Sequence, residues 1–294
     1  MTAPRDRTPV RLDGHAVVVT GAGQGLGAAY ARLIGRLGAS VLVNDLAEES
    51  ADATAESIRS GGGDAQVFVG SVSDPSTAEA LVAACVESFG SITGLVNNAG
   101  AFGCARIEED HGDLIERLLA VNVAGTAHVG LAALRHMRAK GRGSVVNITS
   151  GTQSGTPGLG IYAATKGAIS SLTYSWAMEC AGTGVRVNAV SPNAHTSMAE
   201  AYEAWRGDAG TGQNLAKSAD SNAPLIAYLL SDASADVNGQ VLRIDGSEIS
   251  LVTHPALRPS VRDDEWTVDR IAAAVEAGRL GPWEPLGVVA AQGS

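Results

Sequence analysis

The sequence predicts an α/β fold: one doubly wound domain with a seven-stranded, mostly parallel sheet and helices on both faces. Three observations carry this. Short apolar runs of strand length alternate with segments of helical period throughout residues 14–250. Several runs are continuously apolar, as in strands buried on both faces. Each connection can hold a helix, so consecutive strands join as right-handed β-α-β units.

The elements follow in order. Residues 15–20 (HAVVVT) form the first strand and run into the glycine-rich turn 21–27, which opens the first helix. Residues 40–45 are the second strand, followed by a helix that three glycines end at 61–63. The third strand is 65–71. Asp74 and Pro75 then start a helix that reaches residue 90, aspartate as a cap and proline in the first turn. Residues 93–100 (TGLVNNAG) hold the fourth strand and a polar turn, and a long helical region covers about 112–139. The fifth strand is 143–150, a long helix contains 160–182, and the sixth strand is 184–192. An Ala/Gly-rich segment without clear period spans 193–220; a helix near 221–231 leads to the seventh strand at 240–245. Residues 1–13 read as an arm. Residues 251–294 read as an extension packed on the domain or on a neighbouring subunit. It carries Pro255, Pro259, Pro282 and Pro285 and a helix at about 265–278, opened by the favourable charges of Asp263, Asp264 and Glu265.

Composition narrows the function classes. The 294 residues carry a net charge of −10, which argues against nucleic acid or an anionic membrane as partner. No run approaches the roughly 18 apolar residues of a membrane span. The start lacks the apolar core of a secretory signal. Cys85, Cys104 and Cys180 are odd in number and widely spaced, so they read as buried free thiols in a reducing, cytoplasmic setting. The six histidines show no ligand-like spacing, and no metal site is expected. His195 reads as a polar loop residue.

The chemistry is concentrated in a few places. Gly21, Gly25 and Gly27 follow a strand and open a helix, where glycines admit a pyrophosphate and free N–H groups receive it. Asp45, at the end of the second strand, can accept both ribose hydroxyls of an adenosine and would repel a 2′-phosphate. The nearest cations, Arg32 and Arg36, lie too far along the first helix, which favours NAD over NADP. Asn122 is a poor interior helix residue and points to a kink, a bound water or a polar network, or simply to an exposed face. Tyr162 and Lys166 share a helix face, where an ammonium beside a phenol draws the phenol pKa down towards working pH. A hydroxyl from Ser150, at the preceding strand end, can reach the same space. Such a set moves a proton on and off an alcohol or carbonyl oxygen.

These motifs in this order resemble the short-chain dehydrogenase/reductase family: T-G-x-x-x-G-x-G at 20–27, N-N-A-G at 97–100, Asn122, Ser150 and Y-x-x-x-K at 162–166. The resemblance covers about residues 12–250. Within the family, residues 11–33, 41–45 and 191–198 look most like (3R)-hydroxyacyl-CoA dehydrogenase domains of the multifunctional type 2 enzymes and bacterial relatives. The resemblance implies a Rossmann-type domain, an NAD cofactor, an alcohol or ketone substrate, and a tetramer or dimer. It implies Tyr162 as general acid/base, Ser150 as the group orienting the substrate oxygen, and Lys166 as holder of the nicotinamide ribose. Asn122 would anchor a relay water. Gln24, Leu26, Ser71, Val72, Asn98, Ala99, Gly100 and Thr196 would join Gly21, Gly25, Gly27, Asp45, Tyr162 and Lys166 around the cofactor, Thr196 at the carboxamide.

Three positions depart from the family pattern. Ser150 lies twelve residues before Tyr162 instead of thirteen, and Thr149 fits the usual spacing; Ser150 is preferred for its place at the strand end. Ser71-Val72 replaces an Asp-Val/Leu pair and weakens the adenine contact. Asn193 follows Pro192 where glycine is usual, and is expected to adopt a positive-φ turn. The main expectation is an NAD-dependent oxidoreductase for a secondary alcohol or the matching ketone, with a (3R)-hydroxyacyl-CoA as first substrate candidate and a steroid or other bulky alcohol next. A non-catalytic NAD-binding sensor on the same fold is the alternative.

Overall fold

The computed structural model describes residues 9–207, 218–255, 260–263, 266–279 and 287. Its sheet is built from β1 (Ala16–Thr20), β2 (Ser40–Asp45), β3 (Asp64–Val69), β4 (Gly94–Asn97), β5 (Gly143–Ile148), β6 (Val185–Asn193), β7 (Val241–Asp245) and β8 (Glu248–Val252). The order is β3-β2-β1-β4-β5-β6-β7-β8; all pairs are parallel except β7 with β8. The sheet therefore has eight strands, one more than expected. β8 turns back directly after β7, and four of its five residues are exposed, so no buried apolar run announces it.

Alternate residues of each strand feed two cores. Val17, Val19, Val41 and Val43 face one side with Tyr30, Ile34, Ile226 and Leu229. Val18, Leu42, Leu95, Val145 and Val187 face the other with Leu81, Met137 and Trp176. Strands apolar at every position bury both faces, which explains their continuous runs.

The helices are α1 (Gly25–Arg36), α2 (Glu48–Ser60), α3 (Pro75–Phe89), α4 (Gly112–Leu118), α5 (Thr126–Lys140), α6 (Gly160–Glu179), α7 (Ser197–Arg206), α8 (Ala223–Leu230) and α9 (Val268–Glu276). Asp74 caps α3 by accepting from the Ser76 N–H, with Pro75 in the first turn. The expected long helix at 112–139 is interrupted: a π-helical turn, Leu119–Gly125, joins α4 to α5. The run Gly112–Lys140 is long and apolar enough for a membrane span, but half of it is buried within the protein, as in a core helix. The segment 193–220 contains a helix, α7, that its composition concealed.

The extension differs from expectation at its helix. α9 starts at Val268 behind the cap Thr267, and Asp263 pairs with Arg270 instead of opening the helix. Asp264, Glu265, Pro259, Pro282 and Pro285 lie outside the described residues, as does most of the arm. The His254 ring packs against Tyr174 of α6 with centres 4.3 Å apart, tilted by 48°, and the Gly287 N–H donates to the Ser154 carbonyl at 3.0 Å. Cys85 and Cys180 are buried free thiols; Cys104 is free but half-buried.

Candidate active site

The strand order reverses between β1 and β4, and the crevice above their carboxyl ends is where such sheets bind ligands. The residues expected at the site converge there. Gly21 and Gly25 have φ of +60° and +56°, open to glycine at little cost. A Cβ on Gly27 would stand 2.1 Å from the Gly21 carbonyl and 2.5 Å from Asn98 Nδ2, so only glycine lets α1 sit this close. The α1 cap residue, Gln24, makes no side-chain cap bond, and the first turn has no acidic residue. Its leading N–H groups are therefore available to an anion, Gln24 and Gly25 lying exposed.

Asp45 is held by three backbone donors: Gly23 N–H to Oδ2 at 2.8 Å, and Leu46 and Ala47 N–H to Oδ1 at 2.8 and 3.2 Å. This fixes the carboxylate beside the glycine turn, with lone pairs left for hydroxyl donors. Gly23 is a contributor the sequence did not single out; a Cβ there would meet Ser50 Oγ at 2.7 Å and Asp45 Oδ2 at 2.9 Å. Arg32 is engaged 3.6 Å from Asp220, away from this corner.

Asn98 braces the crevice. Its Nδ2 donates to the carbonyls of Thr20 and Gly21 at 2.9 and 2.8 Å, while Thr20 Oγ1 accepts from the Asn98 and Ala99 N–H groups. Thr20, the last residue of β1 and the first of the 20–27 motif, is thus a second brace to which the sequence reading gave no role. Ser71 hydrogen-bonds Ser73 Oγ at 2.8 Å, and buried Val72 packs where a Cβ on Gly125 would be 2.7 Å away. Val72 therefore seats the π turn.

That turn places Asn122. Fully buried, its Oδ1 accepts from the Ala101 N–H at 2.7 Å, and its Nδ2 donates to the Ala101 carbonyl and Thr165 Oγ1, each at 3.0 Å. Thr165 Oγ1 in turn donates to the Tyr162 carbonyl at 2.7 Å. Of the readings open for Asn122, the polar network within a distorted helix is the one observed. A Cβ on Gly100 would lie 3.4 Å from Asn122 Oδ1 and 3.7 Å from Lys166 Nζ, so turn, helix and lysine meet.

Ser150 and Thr149 separate clearly. Thr149 is buried, and its hydroxyl donates to the Lys166 carbonyl at 2.8 Å. Ser150 is half-buried, its hydroxyl accepting from the Thr152 N–H at 3.2 Å, and it is the group that opposes the rise of the Tyr162 phenol. Thr149 is thus committed to the α6 backbone, which favours Ser150 for the serine position. Lys166 Nζ donates to the Ile148 carbonyl at 2.9 Å and lies 5.6 Å from the Tyr162 ring centre.

The electrostatics correct one expectation. Burial pushes the Tyr162 phenol up to about 12, against the opposing Ser150 hydrogen bond, so it is not drawn down towards neutrality. Burial also pushes Lys166 down to about 8. Desolvation disfavours the charged form of each, and for the phenol it outweighs the opposing Ser150 contribution.

One further expectation changes, at Asn193. Asn193 is the last residue of β6, and no described non-glycine residue has positive φ; its Nδ2 donates to Asp245 Oδ2 at 3.0 Å. His195 pairs with Glu200 at 2.8 Å on the capping side. Thr196 caps α7 by accepting from the Ala199 N–H, so its hydroxyl serves that helix start. Among the described residues, no group of three His, Cys, Asp or Glu side chains is arranged to hold a metal.

A Rossmann-type crevice with a Ser-Tyr-Lys cluster beside it defines a class of oxidoreductase. The family model described as short chain dehydrogenase matches residues 15–207, and the chain belongs to that family. 2-(S)-Hydroxypropyl-CoM dehydrogenase 3 of Xanthobacter autotrophicus is 34% identical over 247 residues, 80% of this chain and 97% of that protein. Cis-4-hydroxycyclohexanecarboxylate dehydrogenase of Sinomonas cyclohexanicum is 37% identical over 238 residues, 79% of this chain and 95% of that one. A short chain dehydrogenase structure from Mycobacterium avium superposes with a TM-score of 0.82 at 29% identity, covering 94% of this chain and 99% of that one. The protein is an oxidoreductase acting on CH–OH groups or the matching carbonyls and uses a nicotinamide cofactor. These relatives do not single out the hydroxyacyl-CoA dehydrogenase type.

Proposed function

We propose that the protein is an NAD-dependent dehydrogenase oxidising a secondary alcohol to a ketone. The observation that carries the NAD reading is Asp45, a carboxylate fixed by three backbone N–H groups beside the glycine turn, with Arg32 turned to Asp220. A ribose with both hydroxyls can donate to it; a 2′-phosphate would meet its charge. Gly21, Gly25 and the start of α1 suit the pyrophosphate, Lys166 the nicotinamide ribose. Bound NAD supplies the hydride acceptor.

The chain's own residues handle the proton. The Ser150 hydroxyl orients the substrate oxygen, and Tyr162 takes its proton as the alcohol is oxidised. With Lys166 close to it, Tyr162 titrates as part of a pair whose apparent values belong to both groups. Asn122 holds the π turn and the Ala101 backbone in register with α6. The apolar cluster of Leu118, Leu159, Phe102 and Tyr202 around Tyr162 favours a substrate with an apolar body. This suits a cyclic alcohol, a hydroxysteroid or the acyl part of a (3R)-hydroxyacyl thioester.

Cofactor choice is tested by titrating NAD and NADP into the purified protein. We expect NAD to bind at least tenfold more tightly. An Asp45→Asn variant should narrow that gap, and tighter NADP binding by the wild type would remove the Asp45 argument.

A further inference from the structure

The apolar wall beside Tyr162 ends on a cation. Phe102 stands edge-on to Tyr162 with ring centres 5.0 Å apart, and Cys104, Leu159 and Tyr202 join the same cluster. Beyond Cys104 the chain is pinned by the Ala105 N–H donating to the Gly158 carbonyl at 3.0 Å. The next residue, Arg106, is exposed at the rim, its guanidinium 5.8 Å from the Trp205 ring centre. Trp205 rests on Gly158, where a Cβ would lie 2.1 Å from the indole, and the Tyr202 hydroxyl donates to the Pro157 carbonyl at 3.0 Å. Three pieces of chain, 102–106, 157–159 and α7, are thus locked together to hold a guanidinium over an aromatic face.

Such stacking fixes the plane of the guanidinium while leaving N–H donors at its edge. Among the described residues no carboxylate pairs with the Arg106 side chain; Glu109 accepts from its backbone N–H instead, at 2.9 Å. The nearby Asp110 and Asp113 line an open depression that also contains Arg117. In a chain of net charge −10, an arginine held this way at the end of the substrate wall has a use in recognition.

We propose that Arg106, seated on Trp205, binds an anionic group of the carboxylate type at the substrate end remote from the reacting hydroxyl. The apolar body then lies along Phe102, Leu159 and Tyr202. This rests on the dehydrogenase reading of the same site, and the test is a binding measurement so that the two fail separately. Cyclohexanecarboxylate and neutral cyclohexanecarboxamide, neither of which can be oxidised at a hydroxyl, are titrated calorimetrically into the NAD-saturated protein. The wild type should prefer the carboxylate by about fivefold or more. Arg106→Gln, at an exposed position, should abolish that preference with carboxamide and NAD binding unchanged, and Arg106→Lys should keep part of it. Equal binding of the two probes by the wild type, a preference that survives in Arg106→Gln, or binding of neither probe would overturn the assignment. Loss of NAD turnover on every alcohol, with the carboxylate preference intact, would instead count against the dehydrogenase reading alone.

Discussion

At the scale of single residues the site spends stability on chemistry. Lys166 is buried among groups that offer it one carbonyl, from Ile148, and burial holds its pKa at about 8 against an ordinary 10.5. The unfolded chain therefore binds more protons than the folded one between those values, and stability rises with pH across that window. The cost is fully present below about pH 8 and fades above it. Lys166→Met should accordingly melt no lower than wild type at pH 7, gaining on the order of 1–3 kcal/mol, with the difference shrinking towards pH 10. Thermal melts of both proteins across that range check this; a gap that widens with pH would reverse the sign. The same variant should move the ascending limb of kcat/KM for oxidation to higher pH, since the phenol then loses its cationic partner. A sequence shows that a tyrosine and a lysine share a helix face. It does not show how deeply both are buried, and that depth is why the phenol sits above its ordinary value.

At the scale of elements, Asn122 and α7 carry the separable effects. Asn122→Ala would remove the partner of both the N–H and the carbonyl of half-buried Ala101, costing about 1–3 kcal/mol in chemical denaturation. Activity should fall with it, because the π turn positions the helix facing Lys166. Gly158→Ala would force a Cβ into Trp205 at a residue whose φ is +76°, so α7 must shift. We expect a raised KM for the alcohol with NAD affinity near wild type; a loss of NAD affinity instead would detach α7 from the substrate side. β1, β2, β4, β5 and β6 were legible because strands buried on both faces read as nearly unbroken apolar runs. β8 and α7 were not, for a related reason. β8 is nearly all exposed, and α7 buries no residue completely, laying Tyr202 and Trp205 on a loop instead of the core. The π turn was signalled only by Asn122, which did not say what kind of distortion it would be.

At the scale of the whole molecule, the doubly wound topology brings four distant stretches to one crevice: the glycine turn after β1, Asp45 after β2, Asn98 after β4 and Ser150 after β5. The order of motifs along the chain was enough to place them, since each falls at the carboxyl end of a parallel strand. The substrate wall was less legible, because Phe102, Leu159, Tyr202 and Trp205 come from loops and a helix that only tertiary packing unites. On the proposed reading NAD binds the folded state alone, so a hundredfold excess over its Kd should stabilise the protein by about 2.7 kcal/mol. The most direct test of the central claim is NADH formation over a panel of (3R)-hydroxyacyl-CoA thioesters, hydroxysteroids and cyclic secondary alcohols, comparing wild type with Tyr162→Phe and measuring NAD binding by both. The account predicts turnover by the wild type on at least one class, a loss of roughly 100-fold or more in the variant, and equal NAD affinity. A Tyr162→Phe protein that turns over like the wild type would contradict it.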